Sequence, residues 1–189
     1  MAILNIERIV ITGGPATGKT AIIDDLASRG YYCFEEVIRK LTAKAKDSGD
    51  IKDIHSNPIA LVSDSHAFNT NLINLRIDDF DAAKNAKEKQ VFFDRGIPDV
   101  LAYMSYFDQP ISDAFNTICK TYKYNKIFLL PPWEAIYTDD GERFETFEQA
   151  VDIYHKLKAT YQAFDYSIIE VPFGSIEERT DFIITQSKL

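Results

Sequence analysis

The strongest chemical signal in the sequence lies between residues 13 and 20. These residues read Gly13-Gly14-Pro15-Ala16-Thr17-Gly18-Lys19-Thr20 and match G-x-x-x-x-G-K-S/T at every fixed position. The glycines let the backbone curl so that its N–H groups converge on phosphate oxygens, and a following helix adds its positive N-terminal end. We expect Lys19 to contact β- and γ-phosphates and Thr20 to place its hydroxyl on Mg²⁺. The motif, with Ala21 directly after it, predicts a nucleoside triphosphate site.

An aspartate and an arginine follow a second apolar run and are candidates for the same site. Asp94 and Arg95 come directly after Val91-Phe92-Phe93. An acid at the carboxyl end of a neighbouring buried strand projects toward the crevice that holds the phosphates, so Asp94 is predicted to serve Mg²⁺. The alternative is a helix cap or a surface acid. Arg95 is predicted to clamp the transferring or accepting group, and the alternative is an ion pair with a neighbouring acid.

Two glutamates follow the segment 31–34. If that segment is a strand beside the Gly-rich loop, one glutamate points into the crevice and can orient or deprotonate an acceptor hydroxyl. We choose Glu36 over Glu35 for this role, with Arg39 one helical turn later as a substrate or phosphate contact. The competing interpretation is that both glutamates favour a helix N-terminus through its dipole.

Two more stretches are candidates for closing over a nucleotide. The loop at about residues 131–146 has the length of a functional lid or a disordered segment, and Arg143 in it could stabilise transition-state charge or be a solvated arginine. Pro172 and Phe173 follow the last apolar run, where they could flank an adenine ring, or Phe173 could join the core. The polar residues of segment 57–76 could line an acceptor pocket or the exposed face of a helix.

The elements that must position these side chains alternate along the chain. Short apolar runs predict strands at 9–11, 31–34, 91–93, 127–130 and 168–171. Helix-compatible segments separate them, at 19–28, 36–46, 57–88, 98–106, 112–122, 146–164 and 175–186. The segment 57–88 reads as one long helix or two. Continuous apolar strands separated by helices predict an α/β doubly wound parallel sheet.

Length and composition exclude several classes of protein. The chain has 189 residues, 46% of them hydrophobic, which predicts one compact domain over residues 1–189. A net charge of −8 argues against nucleic-acid binding, so any phosphate must be held locally. No apolar run approaches a membrane span, and the two cysteines are too few for a disulfide framework. We therefore expect a soluble cytoplasmic protein that does not bind a membrane.

The order and spacing of four segments, the first of which contains the Gly-rich loop, resemble a known group. The segments are Ile9 to Thr20, Glu36-Val37-Ile38-Arg39, Phe92 to Asp99, and Pro131-Pro132-Trp133-Glu134 leading to Asp140-Gly141-Glu142-Arg143. They are similar to predicted P-loop ATPases of the AAA-domain type, which resemble ribosylnicotinamide kinase domains and, more remotely, nucleoside and thymidylate kinases. The resemblance implies a three-layer fold with five parallel strands in the order 2-3-1-4-5. It also implies MgATP on Lys19 and Thr20, Asp94 on the magnesium side, Glu36 as general base and Arg143 in a lid.

Two functional hypotheses follow from these residues. The first is an MgATP-dependent phosphotransferase whose partner is a small-molecule phosphoryl acceptor, nucleoside- or nucleotide-like. The second is a regulatory ATPase or nucleotide-dependent switch whose partner is another protein. The segment 50–80 carries no signature for a particular acceptor, so the acceptor's identity stays open at this point.

Overall fold

A computed structural model describes residues 6–37, 65–137 and 145–189 of the chain. The strands are β1 (Glu7–Gly13), β2 (Tyr32–Phe34), β3 (Gln90–Asp94), β4 (Lys126–Leu130) and β5 (Ile168–Glu170). The helices are α1 (Lys19–Ser28), α2 (Ser65–Ala82), α3 (Ile97–Tyr106), α4 (Asp113–Thr121), α5 (Phe147–Ala163) and α6 (Ile176–Ser187), with 3₁₀ turns at Ala83–Asn85 and Glu134–Ile136. The second 3₁₀ turn lies inside the stretch that the sequence predicted to be an irregular loop.

The strands form one five-stranded parallel sheet in the order β2-β3-β1-β4-β5, as the resemblance implied. The central strand β1 lies between β3 and β4, with Ile11 opposite Asp94 on one side and Phe128 on the other. The order of the strands reverses at β1, and parallel sheets bind ligands at the carboxyl edge beside such a reversal. The Gly-rich loop leaves β1 at that edge.

Side chains alternate between the two faces of β1 and create two apolar layers. Ile9 and Ile11 are fully buried against α1 and α6, whereas Val10 faces the layer formed by α2, α3, α4 and α5. The same alternation occurs in β3, where Phe92 packs with the first layer and Phe93 with the second. Burial on both faces explains why these strands read as continuous apolar runs. Helices cover both faces, so the fold has three layers.

Several helix boundaries follow from capping residues in the sequence. The hydroxyls of Ser112, Thr146 and Ser175 each accept a hydrogen bond from the backbone three residues later, and the last two form complete capping boxes. The predicted segment 57–88 is described only from Ser65, and its helix runs unbroken through Asp78–Asp81 to Ala82. Within the described residues, no helix combines the length and apolar character that crossing a bilayer requires.

Candidate active site

The Gly-rich loop turns tightly from β1 into α1. At two of its glycines, a side chain would come too close to neighbouring atoms. A Cβ on Gly14 would lie 2.9 Å from the Ala150 carbonyl oxygen of α5. Gly18 caps α1 with φ of +84°, and a Cβ there would lie 2.9 Å from the guanidinium of Arg179. Thr20 and Ala21 lie in the first turn of α1. The loop is therefore held between α5 and α6 while its backbone stays at the edge of the sheet.

The Lys19 side chain is almost fully buried beside this loop. Its ammonium donates to the Gly14 carbonyl at 2.6 Å and to the Thr17 hydroxyl at 3.4 Å. Burial, helped by the positive charge of Arg95, lowers the pKa of Lys19 to about 7. Asp94 and Glu36 oppose this shift by favouring the charged form, so all four groups lie within electrostatic range of one another. A cation in this position can be shared with phosphate oxygens.

Asp94 ends β3 next to the loop, as the sequence predicted, and 96% of the residue is buried. Its Oδ1 atom accepts no hydrogen bond from any residue in the described part of the chain. Burial, followed by the charge of Glu36, raises the pKa of this carboxyl above its usual value. A buried carboxylate oxygen with spare acceptor capacity is a donor atom suited to Mg²⁺ or to a water bound to it.

Arg95 and Glu36 form an ion pair at the mouth of the same site. The Arg95 Nε donates to Glu36 Oε1 at 2.9 Å, and its Nη1 donates to the Gly13 carbonyl at 3.1 Å. The charges of Arg95 and Lys19 outweigh the effect of burial and lower the pKa of Glu36 to about 2. The ion pair that the sequence offered as the alternative role of Arg95 is present. This ion pair holds Arg95 next to the other candidate residues.

A narrow crevice lies next to Arg95. It is lined by Phe34, Glu35, Val37, Arg76, Asp79, Phe93, Asp94, Arg95 and Tyr124. Arg76 is 3% exposed and donates through Nη1 to the Asp94 carbonyl at 3.3 Å. The predicted acceptor segment therefore contributes Arg76 to the crevice, whereas Asn69 is buried against Gln109. The crevice brings residues of β2, α2 and β3 together, and its lining includes Glu35 and Val37, the two neighbours of Glu36 in the sequence.

A second group of side chains, which sequence reasoning had named only in part, lies beside the loop toward α6. The rings of Trp133 and Phe173 stack with centroids 5.0 Å apart, and Phe173 is 55% exposed, so it does not join the core. Arg179 from α6 lies 6.0 Å from the Trp133 ring and donates to the Thr17 carbonyl at 2.7 Å. Pro172 is exposed next to Phe173. This arrangement places an aromatic surface at the end of the loop.

Sequence reasoning missed Arg179 and Trp133 as members of the site. Arg179 contacts Thr17 across 162 positions of sequence, and an arginine within a helix carries no local signal of such a contact. Trp133 lies in the loop that the sequence marked as a lid or a disordered segment, but its own side chain was given no role. Two predicted residues, Arg39 and Arg143, lie outside the described residues.

The donor set fits Mg²⁺ held mainly by phosphate and water. Thr20 in the first turn of α1 and the spare oxygen of Asp94 supply hard oxygen ligands of the kind Mg²⁺ takes. The described residues contain no cluster of three or more His, Cys, Asp or Glu side chains able to hold a metal ion. Magnesium sites in nucleotide enzymes commonly use one or two protein ligands plus phosphates.

The sheet order and the Gly-rich loop at its carboxyl edge define a P-loop nucleoside triphosphatase fold of the type found in small-molecule kinases. A sequence profile described as an AAA domain matches residues 8–179. The chain therefore belongs to this AAA domain family. No curated protein sequence matches the chain.

Solved structures that share this fold include a NadR protein and two kinases that are named for a nucleoside or a nucleotide. A NadR protein in complex with NR has 17% identity and a TM-score of 0.71 over 98% of this chain and 52% of its own. Deoxyadenosine kinase from M. mycoides with bound dATP has 15% identity and a TM-score of 0.63 over 96% and 100%. Thymidylate kinase from Ehrlichia chaffeensis has 14% identity and a TM-score of 0.60 over 97% and 99%. At these identities the similarity establishes the fold alone.

Proposed function

We propose that this protein is an MgATP-dependent phosphotransferase that moves a phosphoryl group to the hydroxyl or phosphate of a small nucleoside- or nucleotide-like molecule. One observation supports this most directly. Lys19, Asp94 and the Arg95–Glu36 pair converge at the carboxyl edge of β1 and β3, directly beside the Gly-rich loop. Phosphoryl transfer needs positioning and charge stabilisation far more than covalent chemistry, and these residues supply both.

On the donor side, Lys19 and the backbone of the loop bind the phosphates of ATP. The Lys19 ammonium is held at the loop by the Gly14 carbonyl and the Thr17 hydroxyl, and phosphate oxygens would replace these acceptors. Thr20 and Asp94 would hold Mg²⁺, which neutralises charge on the phosphates when it is bound. Arg143 of the predicted lid, about residues 131–146, is proposed to add a second cation.

The aromatic pair is proposed to bind the base of the nucleotide. Phe173 exposes a large apolar surface beside the loop, and Trp133 stacks on its ring. Stacking of a base on an aromatic side chain contributes about 1–3 kcal/mol. Arg179 joins this surface to the phosphate site, because its guanidinium lies near Trp133 and donates to Thr17. Pro172 extends the same edge.

On the acceptor side, Glu36 is proposed to accept a hydrogen bond from the attacking hydroxyl and to take its proton late in the reaction. With a pKa of about 2, Glu36 is a weak base that stays ionised at neutral pH. A loose transition state demands little proton removal before the bond to phosphorus forms, so a weak base that orients the hydroxyl suffices. Arg95 holds this carboxylate in place, and Arg39 is proposed as a further substrate contact.

The class of acceptor is proposed from the shape of the crevice and from the named neighbours. Phe34 is half-buried at the crevice and its ring stacks on the buried Phe93, so it supplies an aromatic edge against which a base or another flat ring can pack. Deoxyadenosine kinase, thymidylate kinase and the NadR protein bound to NR share the fold. A nucleoside-like acceptor fits both observations. A cytoplasmic location, where ATP is available, is part of the same proposal.

The test is ADP formation by purified protein with MgATP and a panel of acceptors. The panel contains nucleosides, ribosylnicotinamide, nucleoside monophosphates and sugar nucleotides, and the Lys19→Ala variant serves as the blank. We expect one acceptor class to raise ADP release and to yield a phosphorylated product identified by mass spectrometry. If ATP binds but no acceptor raises the rate, a regulatory ATPase with a protein partner replaces this proposal.

A further inference from the structure

Asp99 is a buried carboxylate in the first turn of α3, directly beneath the candidate active site. The residue is 1% exposed, and each of its two oxygens accepts two hydrogen bonds. Oδ1 accepts from the Thr12 hydroxyl and from Arg95 Nη1, the latter at 3.3 Å. Oδ2 accepts from the Gly96 backbone at 2.9 Å and from the Tyr161 hydroxyl. The donors come from β1, from the turn after β3 and from α5.

Helix capping explains only one of these four bonds. Asp99 stands three residues after Gly96, the N-cap of α3, and its bond to the Gly96 backbone is an ordinary capping contact. A capping acid normally lies at the surface, where its other acceptor sites meet water. At position 99 the three remaining sites are filled by Thr12, Tyr161 and Arg95. The side chain thus connects the strand that leads into the Gly-rich loop with the arginine at the mouth of the site.

Arg95 needs such support because its backbone conformation is unfavourable. Its φ of +73° lies in the left-handed region, which costs a residue with a side chain on the order of 1 kcal/mol. Its Nη1 atom lies between the Gly13 carbonyl and Asp99 Oδ1, while its Nε reaches Glu36. Asp99 also comes from the rigid start of α3, whereas Glu36 follows a strand of three residues, β2 (Tyr32–Phe34).

We propose that Asp99 is a positioning residue for phosphoryl transfer. It holds the Arg95 guanidinium against the Gly-rich loop and within hydrogen-bond distance of Glu36. This role rests on the proposed function and adds a residue to it. Asp99 acts through Arg95 and touches neither nucleotide nor acceptor. Thr12 shares Oδ1 with Arg95, whereas Tyr161 and the Gly96 backbone bind the other oxygen, Oδ2.

The Asp99→Asn variant tests the role because it keeps the size of the side chain. An amide carries no charge and accepts at one oxygen only, so the charge-assisted bond from Arg95 is either lost or reduced to a weaker neutral one. We expect kcat for acceptor phosphorylation to fall about 100-fold, the scale on which a small misplacement of a reacting group acts. The KM for ATP should stay close to that of the wild-type chain, because Lys19 and the loop are unchanged.

A double-mutant cycle separates positioning from general damage. If Asp99 acts through Arg95, Asp99→Asn should change the rate of an Arg95→Ala variant by no more than about threefold. Equal losses in both backgrounds would overturn the proposal. Tyr161→Phe is the matched control, since it removes one bond to Oδ2 and leaves Arg95 on Oδ1. It should lower the melting temperature while kcat stays close to wild type, and a parallel loss of kcat would also overturn the proposal.

A measurement without substrate keeps this inference distinct from the proposed function. In the wild-type chain, the buried Arg95 Nε–H should give a slowly exchanging NMR signal, assigned by its loss in Arg95→Ala. The signal should persist in Tyr161→Phe and broaden or vanish in Asp99→Asn. If no acceptor is phosphorylated, the proposed function fails while this signal still decides whether Asp99 positions Arg95. An unchanged Arg95 signal in Asp99→Asn would refute the positioning role.

Discussion

Arg95 and Glu36 are 59 positions apart in the sequence, yet the guanidinium of one donates to the carboxylate of the other at 2.9 Å. The contact joins the turn after β3 to the residues after β2, and Arg95 also lines the crevice beside the loop. Its charges offset each other within a largely buried site. The pair therefore holds a carboxylate in place at the carboxyl edge of the sheet without adding net charge.

Replacing Glu36 tests the acceptor side of this arrangement. We expect Glu36→Gln to lower acceptor phosphorylation by about 100-fold or more, the usual contribution of a general base, while ATP affinity is retained. Steady-state kinetics with a saturating acceptor measures the loss. Glu88→Gln is the control, because Glu88 precedes β3 and therefore lies at the amino edge of the sheet, opposite the site. Equal losses in the two variants would mean that the effect is not specific to Glu36.

The pKa of Lys19 predicts how ATP affinity depends on pH. Burial lowers that pKa from 10.5 to about 7, so the side chain loses its charge as pH rises through neutrality. The charged form binds polyphosphate, and the Kd for ATP should therefore increase from mildly acidic to mildly alkaline pH. The fluorescence of the single tryptophan, Trp133, can follow the titration. In Lys19→Met, the Kd for ATP should change with pH only as far as the titration of ATP itself requires. An equal change of Kd with pH in both proteins would contradict the prediction.

Replacing Asp94 tests the metal side of the site. Asp94→Asn should raise the Mg²⁺ concentration needed for half-maximal activity by about 10–100-fold. Its pKa is raised by burial and by Glu36, so wild-type activity should also need more Mg²⁺ as pH falls and the carboxyl becomes protonated. Magnesium titrations at two pH values measure both effects. Asp113→Asn is the control, since Asp113 is exposed on α4. An unchanged Mg²⁺ requirement in Asp94→Asn would show that Asp94 does not take part in binding the metal.

The aromatic surface gives a prediction for nucleotide binding. Phe173→Ala should weaken ATP binding by about tenfold, because it removes roughly the free energy of one stacked base. Ile176→Ala is the control, as Ile176 is also a largely exposed apolar residue close in sequence. Isothermal titration calorimetry measures both affinities without relying on Trp133. Equal affinities in the two variants would place the base of the nucleotide elsewhere.

The sequence predicted those parts of the fold that neighbouring residues determine. The Gly-rich loop, the buried strands and the capping residues Thr146 and Ser175 carry local signals, and the structure confirms their places. Asp94 was predicted to end a strand beside the loop because the carboxyl ends of parallel strands meet at one edge. The structure confirms that position. The catalytic and metal-binding roles of these residues remain predictions.

The parts that could not be predicted depend on contacts between distant segments. Arg179 meets Thr17 and Tyr161 meets Asp99 only after α6 and α5 pack against the sheet, and a helical arginine or tyrosine looks the same whether it is buried or exposed. Asp99 did carry a weak signal, three residues after Gly96 at the start of a helix. That spacing indicates a cap, and its link to Arg95 becomes visible only in three dimensions.

The most direct test of the central claim follows the fate of a radioactive γ-phosphate from ATP in the presence of the best acceptor. The proposed function predicts that the label appears on the acceptor, that Lys19→Ala abolishes this transfer, and that Glu36→Gln suppresses it. Label found only as inorganic phosphate in the wild-type protein, at a rate that the acceptor does not change, would contradict phosphotransfer and indicate a hydrolytic ATPase.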